Sequence, residues 1–132
     1  MKKILFAIIF LITITTYSQE SKEEGKDSKA RTYFNGGVAK FELKDYYGAI
    51  ADYTEAIKLI PNYGDAYFNR GLAKEYLKDY NGAILDYTKA IEINPNYAKA
   101  YVDRGLAKYY LKDYYGACID VKKAKDLGYD ST

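Results

Sequence analysis

The sequence has no histidine, only one cysteine and only two prolines among its 132 residues. Without histidine the chain cannot form a Ser-His-Asp or Cys-His nucleophile system, a histidine general base or a histidine-ligated metal site. The single cysteine, Cys118, excludes an intramolecular disulfide, so the stability of the fold must come from packing. We therefore expect a binding protein rather than an enzyme, with no metal and no cofactor.

The composition is that of a folded chain without a general affinity for nucleic acid. Hydrophobic residues make up 48% and charged residues 29%, which is too apolar for compositional disorder. The formal net charge is +2, and it comes entirely from Lys2 and Lys3 near the amino terminus. The rest of the chain is neutral overall, which argues against a nucleic-acid partner.

The amino terminus has the features of a secretory signal. Lys2 and Lys3 precede an apolar run of 11 residues, 4–14, and Thr16 and Ser18 stand where a signal peptidase prefers small residues. The run is shorter than the roughly 20 residues that a spanning helix needs. The sequence thus predicts a signal peptide over residues 1–18 and a mature protein that starts at Gln19. Such a protein is exported, periplasmic or secreted, and has no stable membrane span after cleavage. The alternative is a buried first helix. The nearly all-polar segment 19–29 predicts a flexible linker.

Residues recur with a period of 34 through the rest of the chain. Whole blocks repeat, such as Leu-Lys-Asp-Tyr at 43–46 and 77–80. Self-similarity at this period indicates a stack of supersecondary units. We predict three units, 30–63, 64–97 and 98–131, in one domain over 30–132. The positions that recur in all three are Gly37, Gly71 and Gly105; Tyr46, Tyr80 and Tyr114; Gly48, Gly82 and Gly116; Ala49, Ala83 and Ala117; Asp52, Asp86 and Asp120; and Ala56, Ala90 and Ala124.

Each unit is predicted to form two helices. Apolar residues step by three and four along the second half of each unit, which is the pattern of one helix face. Asp45, Asp79 and Asp113 are placed to cap the second helices, and Pro61 and Pro95 to end them. The predicted helices cover 31–44, 47–59, 65–78, 81–93, 99–112 and 115–126.

This pattern resembles the tetratricopeptide repeat. The small and aromatic positions of that family appear as Tyr33, Gly37, Ala49, Tyr53, Ala56 and Pro61; as Tyr67, Gly71, Ala83, Tyr87, Ala90 and Pro95; and as Tyr101, Gly105, Ala117 and Ala124. The resemblance implies an all-α solenoid of helical hairpins. It fails at two recurring places, where Gly36, Arg70 and Arg104 replace the usual leucine and Lys40, Lys74 and Lys108 replace the usual tyrosine.

The third unit departs from the other two at its end. Val121, Lys125 and Tyr129 replace the aromatic, the isoleucine and the proline of the earlier units. We expect this polar helix to cap the stack in part and to leave some apolar surface exposed, which keeps self-association open. Cys118 stands where the earlier units have Ile50 and Ile84, so the pattern predicts a buried side chain.

The resemblance implies a concave groove that binds a segment of another, unidentified protein. The expected groove positions are Phe34, Asn35, Val38, Phe41, Glu42, Phe68, Asn69, Leu72, Glu75, Tyr76, Val102, Asp103, Leu106, Tyr109 and Tyr110. Several of them have packing between units as an alternative role. Family members that bind a terminal carboxylate carry Lys, Asn or Arg at five positions. This chain has Phe34, Val38, Asn69, Lys99 and Asp103 at those positions and matches at two of the five. A carboxylate clamp is thus not expected.

Two further hypotheses concern recurring charged residues. Asp52, Asp86 and Asp120 could be imagined as glycosidase carboxylates, but equivalent places in a stack favour a structural role. Because the first unit lacks the arginine, we predict that Arg70 pairs with Asp52 and Arg104 with Asp86, each in the preceding unit. Pairing within a unit, between Arg70 and Asp86, is the alternative. The abundant tyrosines could bind glycans, although most occupy packing positions.

Overall fold

The protein is a stack of helix pairs, described by a computed structural model over residues 1–129 apart from the side chain of Ser21. Its helices are α1 (Lys2–Glu42), α2 (Tyr46–Leu59), α3 (Gly64–Tyr76), α4 (Tyr80–Ile93), α5 (Ala98–Tyr110) and α6 (Tyr114–Asp126). Helix pair one is α1 from residue 30 with α2, pair two is α3 with α4, and pair three is α5 with α6. Pairs pack on each other through α2 with α3 and α4 with α5. The predicted all-α class is confirmed; residues 130 and 131 of the predicted third unit lie outside the described residues.

Helix α1 is much longer than predicted. The described side chains before Ala30 are exposed, whereas Ala30 is fully buried against the rest of the fold. Residues 19–29, predicted as a flexible linker, continue this helix because Glu, Lys and Gln favour helix and the interior Gly25 costs only about 1 kcal/mol. Among the described residues, α1 alone is long and apolar enough to cross a membrane, and a signal sequence near the amino terminus has the same property.

The turn inside each helix pair follows from the repeated Leu-Lys-Asp-Tyr sequence. The lysine adopts a left-handed backbone conformation, with φ of 62°, 62° and 66° at Lys44, Lys78 and Lys112. This conformation ends each first helix two residues earlier than predicted. The aspartate then caps the second helix by accepting a 2.9 Å hydrogen bond from a glycine amide, as predicted for Asp45, Asp79 and Asp113.

Close approach of the two helices in a pair depends on glycine. Tyr53 and Tyr87 are 1% and 0% exposed and lie directly opposite Gly37 and Gly71. A Cβ built on Gly71 would stand 2.8 Å from Cε1 of the Tyr87 ring, and one on Gly37 would stand 2.6 Å from Cε1 of Tyr53. Gly71 thus faces the second helix of its own pair, as predicted, and a side chain there would push the pair apart.

The carboxyl-terminal face of the stack is only partly polar. The lysines of α6 are exposed, as expected for the end of a solenoid, but Ile119 and Val121 are exposed as well. Cys118 is exposed, so the prediction of a buried side chain is wrong. Its counterparts Ile50 and Ile84 are half-buried because the next helix pair packs on them, and no described helix packs on that side of α6.

Candidate functional site

A buried aspartate in α4 holds two cations from α3. Arg70 donates from Nε and Nη2 to the two carboxylate oxygens of Asp86, over 2.9 and 2.7 Å, and Nζ of Lys74 lies 2.8 Å from Oδ2. Asp86 itself is 4% exposed. Pair three repeats the arrangement with Arg104 and Lys108 on Asp120, over 2.9, 2.7 and 2.7 Å. The lysine that departs from the family pattern therefore completes an ion-pair cluster in pairs two and three.

The predicted pairing of arginine with the preceding unit's aspartate is wrong. Asp52 binds Lys40 of its own pair, 2.7 Å away, rather than Arg70. Arg70 links the pairs differently, because its Nη1 donates to Oγ1 of Thr54 over 3.1 Å. Among the described residues no helix pair precedes pair one to supply such a threonine, which accounts for the absence of arginine there. Oδ2 of Asp52 instead lies close to Gly36, 2.8 Å from where a Cβ would stand.

The recurring aspartates are structural. Each carboxylate already accepts hydrogen bonds or ion pairs from cations of its own pair. Burial alone raises the pKa of Asp120, but the hydrogen bonds from Arg104 and Lys108 outweigh it and hold the pKa below its usual value. The Asp120 carboxylate thus favours its ionised form and accepts from two cations through both oxygens, which is the arrangement of a structural ion pair rather than of a general acid.

The predicted groove residues on α1, α3 and α5 divide into core and surface. Phe68 is 3% exposed and packs in the core, so it does not present a surface to a ligand. The amide Nδ2 of Asn69 donates to the backbone oxygen of Asp65 over 2.8 Å. Phe34, Val38, Phe41, Leu72, Glu75 and Val102 are half-buried, whereas Asn35, Tyr76, Leu106, Tyr109 and Tyr110 are exposed.

Two exposed tyrosines join successive helix pairs by stacking. The Tyr76 ring lies 5.0 Å from that of Tyr46 at 23°, and the Tyr110 ring lies 4.8 Å from that of Tyr80 at 18°. Tyr76 and Tyr110 nevertheless remain 61% and 52% exposed. Their counterpart Glu42 has no preceding pair to stack on, so its identity does not by itself mark the tyrosines as ligand contacts. The two rings therefore connect successive helix pairs while more than half of each side chain stays exposed.

A pocket of about 350 Å³ lies beside these stacks, between pairs two and three. It is lined by Leu72, Glu75, Tyr76, Lys78, Tyr80, Asp103 and Tyr110. Oε2 of Glu75 accepts a 2.6 Å hydrogen bond from the Tyr87 hydroxyl, and Oδ2 of Asp103 is buried with no hydrogen-bond donor among the described residues. We call this site the acidic pocket. Asp103 was expected on the groove face, but its burial next to Glu75 could not be predicted from its spacing, because it depends on how the helices pack.

Both carboxyls of the acidic pocket have a raised pKa. Burial, reinforced by the charge of Glu75 and opposed by Lys99, raises the pKa of Asp103 to about 6. Burial also raises the pKa of Glu75, although the hydrogen bond from Tyr87 works in the opposite direction. Burial thus favours the protonated form of both carboxyls in the acidic pocket.

Replacing Asp103 by asparagine should stabilise the fold near neutral pH. Its folded pKa of about 6 lies above the usual 3.8, so the folded state binds more protons in that window. The free energy of unfolding therefore falls as the pH rises from about 4 to 6, and Asp103→Asn removes that fall and gains about 1 kcal/mol at pH 7 after allowance for solvent screening. Urea unfolding across this range checks it, with Glu92→Gln as an exposed control. A difference between wild type and Asp103→Asn that does not change with pH contradicts it.

A second, apolar pocket of about 610 Å³ opens at the carboxyl-terminal end. It is lined by Val102, Gly105, Leu106, Tyr109, Tyr114, Ala117, Cys118 and Val121. In pairs one and two the equivalent space holds a tyrosine ring, Tyr53 or Tyr87, and is covered by the first helix of the following pair. Val121 replaces that ring in pair three, so the space stays open.

Comparison with known proteins connects this architecture to a family. The sequence models described as "Tetratricopeptide repeat" and "TPR repeat" match residues 64–97 and 37–75. No curated protein sequence gives a significant match. Among solved structures, the TPR domain of Arabidopsis OM64 is 33% identical, with a TM-score of 0.76 over 77% of this chain and 84% of that one.

Two further similar structures are complexes. The first TPR domain of Spaghetti (RPAP3), bound to the HSP90 peptide SRMEEVD, is 30% identical over 76% of this chain and 80% of that one, with a TM-score of 0.75. The TPR2B domain of yeast Sti1 in complex with pHsp70 is 33% identical over the same shares, with a TM-score of 0.74. On its helix pairs, its glycine–tyrosine contacts and these likenesses, the chain belongs to the tetratricopeptide repeat family.

Proposed function

We propose that the chain is a protein-interaction module that binds a segment of a partner protein along α1, α3 and α5. The main observation is the pair of stacked but half-exposed tyrosines beside the acidic pocket. Aromatic side chains with one free face bury much area at low entropic cost and are frequent anchors of interfaces. The similar domain of Spaghetti (RPAP3) is bound to an HSP90 peptide and that of yeast Sti1 is in a complex with pHsp70, which supports a binding role for this chain.

The partner segment is not expected to be held by a terminal carboxylate. Phe34 and Val38 supply no charge at the positions where the resemblance expects Lys and Asn, and Asp103 stands where it expects Arg. The buried carboxyl of Asp103 would repel a carboxylate brought next to it. An acidic tail such as SRMEEVD is therefore a poor candidate ligand for this chain.

Removing Tyr76 and Tyr110 together should weaken partner binding more than folding. Each Tyr→Ala change deletes one exposed ring and one stack worth about 0.5–1.5 kcal/mol. We expect the double variant to lose about 2 kcal/mol or more of binding free energy. The partner is first captured from the native envelope fraction and then titrated against each variant, while thermal unfolding monitors the fold.

A matched control for this experiment is available on the second helices. Tyr47 and Tyr115 are 75% and 81% exposed and lie on α2 and α6, so the variant Tyr47→Ala with Tyr115→Ala removes two rings elsewhere. It should bind as wild type does. Binding that is retained by the Tyr76/Tyr110 variant would move the interaction surface away from the first helices, and a parallel loss of folding would make both tyrosines core residues.

We further infer an exported protein that starts at Gln19 and carries three repeats over 30–132. The apolar exposed segment of residues 4–14 after two lysines supports a signal sequence, and the three helix pairs share equivalent glycines and aspartate caps. Intact mass of the protein recovered from its native host should lack residues 1–18. A mass that includes Met1 overturns export by cleavage.

Self-association through the carboxyl-terminal end is a second candidate. The apolar pocket beside α6 and the exposure of Ile119 and Val121 favour it. Sedimentation equilibrium would then show a concentration-dependent mass that the change Val121→Asp abolishes. A constant monomer mass excludes this candidate.

A further inference from the structure

The acidic pocket has walls of two kinds. Tyr76, Tyr80 and Tyr110 contribute aromatic surface, while Glu75 and Asp103 contribute carboxyls from neighbouring helices, α3 and α5. Its volume of about 350 Å³ admits one long side chain rather than a whole helix. The site therefore has the dimensions and the amphipathic lining of a side-chain pocket.

None of the nearby cations forms an ion pair with either carboxyl of the pocket within residues 1–129. Lys74 is paired with Asp86, and Lys108 is paired with Asp120. Nζ of Lys99 lies over the Phe68 ring, 5.4 Å from its centre. Lys78 lines the pocket, yet it forms no ion pair with either carboxyl within the described part of the chain. The two carboxyls of the pocket consequently have no ion-pair partner from residues 1–129.

We propose that the acidic pocket binds a lysine or arginine side chain of the partner segment, with its charged end at Asp103 and Glu75 and its aliphatic stem against Tyr76 and Tyr110. This inference rests on the proposed function and specifies the chemistry of the ligand. The proposed function alone does not require a basic residue in the partner segment, because a groove could bind peptides without one.

A cation is the side chain that satisfies the pocket. An ammonium or guanidinium group donates several hydrogen bonds and would supply the donor that Oδ2 of Asp103 lacks among the described residues. A charge-assisted bond in a half-buried site is stronger than a neutral one, and the adjacent tyrosine rings add cation–π attraction. An apolar side chain would leave that oxygen unsatisfied, and an acidic one would meet two carboxyls.

The test is a selection of random peptides displayed on phage against the immobilised protein. We expect enriched peptides to share a lysine or arginine at one fixed position. In fluorescence polarisation, replacing that residue by norleucine should weaken binding by about tenfold or more. Asp103→Asn should weaken the basic peptide to a similar degree and leave the norleucine peptide unchanged, while the exposed-acid control Glu92→Gln changes neither. Melting temperatures show that each variant is folded.

The outcomes separate the two proposals. Peptides that need Tyr76 and Tyr110 but show no preference for a basic residue overturn the cation site and leave the proposed function standing. Peptides whose basic residue matters equally in wild type and in Asp103→Asn also overturn the site. A selection that yields no peptide dependent on Tyr76 and Tyr110 overturns both.

Discussion

Replacing Asp86 by alanine is expected to lower the free energy of unfolding by about 3–5 kcal/mol, since it removes the common acceptor of two largely buried cations. The guanidinium of Arg70 would lose two hydrogen bonds and retain the one to Thr54. Buried charge without a partner is costly because water cannot replace the lost carboxylate. Urea unfolding followed by helical circular dichroism measures the loss.

Asp52 is the matched control for Asp86. It occupies the equivalent position in pair one, but its side chain is 17% exposed and has Lys40 as its ion-pair partner. Because Lys40 is itself 42% exposed, water can solvate it after Asp52→Ala, and the expected cost is about 1 kcal/mol. Equal losses in the two variants would show that the arginine contributes nothing to the cluster.

Replacing Gly71 by leucine is expected to lower the free energy of unfolding by roughly 1–3 kcal/mol, because even a Cβ there would stand 2.8 Å from the Tyr87 ring. Tyr87 is fully buried in a cluster of packed side chains, so a shift of its ring would disturb its neighbours. The change in urea midpoint measures the effect.

The contact between Gly71 and Tyr87 can also be tested by a rescue experiment. Pair three already has Val121 where pair two has Tyr87, so the double variant Gly71→Leu with Tyr87→Val frees space for the leucine. The cost of Gly71→Leu should be smaller in that background. Gly25→Ala, at a glycine where an added Cβ would meet no described heavy atom within 4 Å, should not lower stability. An unchanged midpoint for Gly71→Leu would mean that the helices of the pair do not approach so closely.

Local signals in the sequence predicted most of the fold. The period of 34, the capping Asp45 and the terminating Pro61 act over short distances along the chain, and the structure confirms the helices that they define. Predictions that needed knowledge of the neighbouring helix were less successful. Cys118 shares its register with Ile50, but its burial depends on a following helix pair that the described chain does not provide.

The partners of the charged residues were also difficult to predict from the sequence. Spacing placed Arg70 at similar sequence distances from Asp52 and Asp86, and only the helix packing selects Asp86. Glu75 and Asp103 were both expected in the groove, whereas the burial of Oδ2 of Asp103 depends on how α3 packs on α5. Pairing and burial across helices are properties of three-dimensional distance, which a repeat pattern does not encode.

The decisive experiment on peptide binding by the first helices is an amide chemical-shift titration of the isotopically labelled protein with a peptide selected on it. We predict the largest shifts on α3 and α5 around Leu72, Tyr76, Asp103 and Tyr110, which all line the acidic pocket. Shifts confined to α6 around Cys118, with none at Tyr76 or Asp103, would contradict the proposed binding surface.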